Sequence, residues 1–135
     1  MTVIALIDGV TLSPINDYQF IGRTVIAGGT LGNGQMASLD ATTGRAIEGI
    51  QTQMPYGIAL NYAPTGEPVY LLQEGVVYGF DVSALDFGAL VYTGVDGALE
   101  DTMTQEGEPL VDAAVVVGRV VPTSELGVKA VEFRL

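Results

Sequence analysis

Histidine, cysteine and tryptophan are all absent from the 135 residues, and only five side chains are basic: Arg23, Arg45, Arg119, Lys129 and Arg134. Without histidine the chain lacks the commonest general base and metal ligand. Without cysteine it lacks the strongest neutral-pH nucleophile, thiolate metal sites and disulfides. Most hydrolase constellations are excluded on these grounds, and the fold has to be held together by its core. The four serines, Ser13, Ser38, Ser83 and Ser124, show no Gly-x-Ser-x-Gly elbow, and the single lysine stands near no serine motif. Lack of tryptophan removes the usual sugar platform. The carboxylates Asp81, Asp86, Asp96, Glu100 and Asp101 therefore read as turn and loop residues rather than as a glycosidase pair. No Asp-x-Asp-x-Asp-Gly loop marks a calcium site, and Ala27 to Gly34 is glycine-rich but lacks the Lys-Ser/Thr of a phosphate-binding loop. The chain reads as non-enzymatic, with no cofactor and no metal.

Positive charge is the next scarcity. Sixteen acids against five bases give a formal net charge of −11, which repels phosphate backbones and anionic membrane surfaces, so neither nucleic acid nor membrane is expected as a partner. Charged residues make up only 16% of the chain while hydrophobic ones make up 48%, against a usual charged share of about 25%. Much of the surface must then be uncharged, which suits either burial against partners or a polar skin of Thr, Gly and Gln. The apolar start, Thr2 to Ile7, is cut off by Asp8 well short of a signal-peptide core or a spanning helix. This reads as a soluble protein without a cleaved leader.

Glycine is abundant. Eighteen glycines and six prolines interrupt every stretch long enough for a helix and favour short strands joined by tight turns. Val76, Tyr78, Phe80 and Val82 alternate with Gly75, Gly79 and Asp81, predicting a strand with one apolar face. Tyr56, Ile58, Leu60 and Tyr62 form a second such row, and Val131, Phe133 and Leu135 a third. Val69 to Leu72 and Ala114 to Val121 are apolar on both faces, as in strands covered from two sides, and the second of these is expected to be central or to lie at a subunit contact. Turns are expected at Gly32-Asn33-Gly34, Thr43-Gly44, Pro64-Thr65-Gly66, Glu74-Gly75 and Asp96-Gly97. Val82 to Asp86 has room for one helical turn, and Glu100 to Glu108 reads as an exposed acidic loop.

The expected fold is all-β, a small β-barrel or β-tulip-like domain with short hairpins over residues 18–135. Residues 1–17 form an edge strand with its connector, or else an extended N-terminal arm. As an arm, Val3, Ile4, Ala5, Leu6 and Ile7 would be the partner contact, a reading that rests on their composition.

The order of elements carries a resemblance. Gly57-Ile58-Ala59-Leu60, Gly66-Glu67-Pro68-Val69, Gly75-Val76-Val77, Gly88-Ala89-Leu90-Val91-Tyr92 and Gly118-Arg119-Val120-Val121 follow one another in a pattern that resembles the head decoration, or capsid cement, proteins of tailed bacteriophages and related viruses. The likeness covers about residues 18–135 and is one of strands and glycines, so no functional residue is transferred to a numbered position. It implies a structural protein on the outer capsid surface of the virion, bound to the major capsid protein and to its own copies as a homotrimer. A β-barrel receptor-binding or adhesion module of a virion spike or tail is the alternative.

Overall fold

The computed structural model describes residues 3–8, 10, 12–15, 19–50, 53–102, 105–106, 111–112 and 115–135. Twelve strands follow in chain order: β1 (Ser13–Pro14), β2 (Ile21–Ile26), β3 (Met36–Leu39), β4 (Ala46–Glu48), β5 (Gly57–Ala59), β6 (Pro68–Tyr78), β7 (Leu90–Thr93), β8 (Leu99–Glu100), β9 (Gln105–Glu106), β10 (Val111–Asp112), β11 (Val116–Pro122) and β12 (Lys129–Arg134). Among the described residues the only helical element is a single 3-10 turn at Val95–Gly97. The expected all-β, barrel-like class is the one observed. A curled antiparallel sheet runs β4-β3-β5-β6-β12-β11-β7-β8, with β1 and β2 also paired to β6 and with β9 and β10 forming a separate hairpin.

β6 is the spine. Along one edge it pairs with β2 and then with β1, and along the other with β5 and then with β12. Neighbouring residues of a strand point to opposite faces. Val69 and Leu71 accordingly enter one buried cluster, whereas Leu72 and the half-buried Tyr70 join another. The described residues therefore form two cores, one on each face of the first half of β6.

The smaller core is made largely of alanine: Ala27, Ala37, Ala46, Ala59 and Ala63, with Leu31, Val69 and Leu71. Side chains this small let strands curl tightly. The ladder β2-β6-β5-β3-β4 bends far enough that Ala27, just past β2, makes a parallel bridge to Ala46, and the Gly28 N–H donates to the Ala46 carbonyl at 2.6 Å. The larger core takes long side chains, among them Phe80 and Phe133, whose rings meet edge to face at 5.9 Å.

Residues 3–7 complete the larger core. Val3 bridges Glu100 and the Ile4 N–H donates to the Leu99 carbonyl at 2.7 Å, while Leu6 bridges Phe80 and the Ile7 N–H donates to the Gly79 carbonyl at 2.7 Å. The segment thus spans from β8 to the residues just after β6 and closes the ladder β6-β12-β11-β7-β8 on itself. Gln35 ties the two halves together: its Oε1 accepts from the Gly32 N–H at 2.9 Å and its Nε2 donates to the Asp96 carbonyl at 2.6 Å.

Several expectations need correction. Glu74-Gly75 is no turn; it lies inside β6, where the register against β2 slips between Leu72 and Glu74 and Gly75 adopts φ +151. Val76, Tyr78, Phe80 and Val82 do not share a face, because Gly79 (φ +134) resets the alternation and Phe80 joins Val77 in the larger core. β5 is buried on both faces rather than one, and Tyr62 is exposed. Val82 to Asp86 closes through a Leu85 N–H to Val82 carbonyl turn without becoming a helix. Turns do occur at the other glycines named, with positive φ at Gly34, Gly44, Gly66 and Gly97.

Ile4 is buried whereas Val3 is 56% exposed, so the closing segment has an inner and an outer face. Replacing Ile4 by Ala is expected to cost about 2 kcal/mol or more of unfolding free energy. Val3→Ala should stay within about 0.5 kcal/mol. Urea denaturation checks both, and equal small losses would mean that the segment does not close the core.

Candidate partner interface

β12 pairs residue by residue with β11 and with β6, and β11 pairs with β7 across a register shift between Val116 and Gly118. Val76, Glu132, Arg119 and Leu90 therefore stand in one row across four strands. Glu74 and Arg134 form the next row on one side, and Val116 and Tyr92 continue that same side on β11 and β7. Inward-facing neighbours of these residues, Val77, Val91, Val117, Val131 and Phe133, fill the larger core. The row thus lies on the outer face, which no other described segment covers at Leu90 (46% exposed) or Val116 (38% exposed).

The expectation that Ala114 to Val121 is covered on both sides is overturned for β11. A register shift between Val116 and Gly118 turns Val117 inward and leaves Val116 and Arg119 outward. Ala114 lies outside the described residues. The strand is central in the ladder, yet one of its faces is open.

Charge on this face is balanced. Arg119 Nε donates to Glu132 Oε1 at 3.1 Å, and Arg134 stands opposite Glu74 in the register. Two arginines and two glutamates sum to zero here, in a chain whose net charge is −11. The Arg119–Glu132 pair is partly solvated, so its worth to stability is at most about 1 kcal/mol. Its consequence is local neutrality beside Leu90 and Val116, which allows close approach of another protein surface. A shallow depression lined by Leu90, Val116, Gly118, Arg119, Glu132 and Arg134 marks the same place.

The contact residues expected from composition fall elsewhere. Ile4 points into the larger core, Leu6 packs against it, and Ile7 is half-buried, leaving Val3 and Ala5 outward. Met1 and Thr2 lie outside the described residues, as do Gly9, Thr11 and residues 16–18 of the connector. Leu90, Arg119, Glu132 and Arg134 were not singled out as contacts by the sequence. The signal that was available is the alternation of Glu132 and Arg134 with Val131 and Phe133, which already marks one face of β12 as outward.

The carboxylates of Glu100, Asp81 and Asp40 occupy strand and turn positions. Glu100, expected in an exposed loop, is 1% exposed on β8, and Gln105–Glu106 is a strand; Glu108 lies outside the described residues. Asp81 Oδ1 accepts from the Ser83 hydroxyl at 2.7 Å and from the Ser83 N–H at 3.3 Å. Asp40 Oδ1 accepts from the N–H groups of Thr43 at 2.8 Å and Thr42 at 2.9 Å. Among the described residues no three His, Cys, Asp or Glu side chains gather into a metal site, and no helix is long and apolar enough to cross a membrane.

These hydrogen bonds hold both carboxyls below their ordinary value of 3.8, through the Thr43 and then the Thr42 amide for Asp40, and through the Ser83 hydroxyl and then its amide for Asp81. A depressed folded-state pKa contributes stability above the unfolded pKa, and that contribution is lost as pH falls through the folded value. The melting temperature should therefore drop on acidification below about pH 4, and Asp40→Asn with Asp81→Asn should flatten the slope. Thermal melts of both proteins over that range check this. Comparison of the chain with protein-family models and with curated proteins gives no match.

Proposed function

We propose that the chain is a structural virion protein that docks on the outside of the assembled major capsid lattice and stabilises the head, acting through subunit contact rather than chemistry. The observation that carries this reading is the open outer face of β7, β11 and β12, where Leu90 and Val116 sit beside an internally neutralised set of arginines and glutamates. The resemblance of the order of strands and glycines to capsid cement proteins supports the choice of partner. A homotrimer is the proposed unit on the lattice.

The physical requirements agree with this. A standard contact buries about 800 Å² on each partner, and many such contacts around a shell add stability even when each is weak. A surplus of acids turned to solvent keeps free copies apart until a lattice supplies matching sites. Neither nucleic acid nor a membrane is needed for this role.

Leu90→Asp with Val116→Asp tests the face, since both side chains are already exposed and the substitutions leave the cores untouched. Purified heads incubated with this double variant should carry at least tenfold fewer copies per major capsid protein than with the unaltered chain, while the melting temperature changes little. An unchanged ratio would remove the face from the contact. A native particle with only a few copies would instead favour a spike or tail module.

A further inference from the structure

The outer face continues past β12 onto β6 and β2. Glu74 of β6 is opposite both Arg134 of β12 and Ile21 of β2, and directly opposed residues of an antiparallel pair share a face. Ile21 is 55% exposed, Glu74 and Arg134 are exposed, and Arg119 keeps 57% of its side chain in solvent. Across the neighbouring strands β7, β11, β12, β6 and β2 the face therefore carries a stepped line of six residues: Leu90, Arg119, Glu132, Arg134, Glu74 and Ile21. Leu90, Arg119 and Glu132 lie in one row. Arg134, Glu74 and Ile21 lie in the row two residues further along the strands.

The order along this line is apolar, positive, negative, positive, negative, apolar. Reversing it exchanges every positive position for a negative one and sets an apolar end on an apolar end. A line with that property is complementary to itself. With strands about 4.8 Å apart and two residues of strand covering about 6.8 Å, the positions are evenly spaced, roughly 4 Å from one to the next along the diagonal. A twofold axis between two facing copies, crossing the middle of the diagonal, then opposes Arg119 to Glu74, Glu132 to Arg134 and Leu90 to Ile21.

We infer that in the free protein this face pairs with the same face of a second copy, about that twofold axis. Charge order identifies the occupant: an unrelated partner need not carry the reversed sequence of charges, whereas a second copy always does. The Arg119–Glu132 bond within each chain does not compete, because the guanidinium has further N–H donors and the carboxylate a second oxygen. Six residues a side fall well short of the roughly 20 to 30 of a standard interface, and acids elsewhere in a chain of net charge −11 repel. The pair is therefore weak and forms in concentrated solution. It uses the same patch of both copies, so it closes at two chains. Because it covers Leu90, pairing and docking exclude one another. That consequence, a face held shut until the lattice displaces the second copy, rests on the function proposed above.

Sedimentation equilibrium of the whole chain over a range of concentrations tests this. The mass is expected to rise from one chain to two. Arg119→Glu with Arg134→Glu makes every charge on the line negative, and Glu74→Arg with Glu132→Arg makes every one positive. Each double variant should keep the mass of one chain at all concentrations, and their equimolar mixture should regain the mass of two. Two reversals shift the −11 of the chain by four units, so both variants stay net negative and overall attraction does not drive the mixture together. Ile21→Asp should also stay at one chain with an unchanged melting temperature, which keeps the pairing testable if a charge variant does not fold. The inference is overturned by a single-chain mass of the unaltered protein at every concentration, by a mass of three chains, or by folded variants whose mixture stays unpaired. Ile21 lies outside the β7, β11 and β12 contact, so Ile21→Asp should load purified heads at least as fully as the unaltered chain. A chain that pairs without ever loading heads sinks the capsid reading alone, and one that loads heads without pairing sinks this inference alone.

Discussion

Each of the eleven residues of β6 has to satisfy a core on one side and a neighbour strand on at least one edge, and the rest of the architecture follows from how it does so. Val69 and Leu71 face an alanine-lined core, while Leu72 and Val77 face one filled with long side chains. Because strand side chains alternate strictly, Leu72 and Val77 reach the same core only if the alternation is reset between them. The slip opposite β2 at Leu72 and Glu74 performs that reset. Removing it would turn Val77 outward and bring Val76 inward, exchanging the faces of every strand that takes its register from the second half of β6. The outer face of β11 and β12 depends on that one irregularity.

The two cores differ in side-chain size, and that difference sets the shape of the sheet. Five alanines permit the close approach that brings Ala27 to Ala46 and seals the β4 edge without a separate element. The larger core cannot close on its own strands, because β8 has only two residues and stands apart from the end of β6; residues 3–7 fill the gap. Among the described residues, closure of both halves leaves the outer side of β7, β11 and β12 as the open face. The surfaces available for contact are therefore what remains after the chain has satisfied itself.

Local patterns were readable in the sequence, and those set by distant pairing were not. Val131 and Phe133 alternate with Glu132 and Arg134 in the structure as they do in the chain, because β12 has one core face and one open face. Val69 to Leu72 is apolar on both sides and is covered on both sides. Glu74-Gly75 misled because a glycine that permits a turn also permits a bulge, and only β2 and β12 beside it decide which. Ala114 to Val121 misled in the opposite sense: a two-sided apolar strand next to an exposed valine and arginine is as consistent with a contact face as with a second core. Glu100 was read from its acidic neighbours, yet pairing with Tyr92 and Val3 draws it out of solvent. The outer face itself combines residues from β6, β7, β11 and β12, a juxtaposition that no spacing within one segment encodes.

The distribution of acids links composition to contact. Asp40 and Asp81 each accept hydrogen bonds from residues two or three places ahead, so their charge is fixed at turns by local backbone geometry. The two glutamates on the outer face, Glu132 and Glu74, stand opposite Arg119 and Arg134. A chain of net charge −11 can in this way remain self-repelling in most orientations while keeping one face on which repulsion is small. Orientation, more than contact area, would then select which encounters persist: a copy that arrives turn first is repelled by the carboxylates, whereas one that arrives by its sheet meets apolar side chains and paired charge.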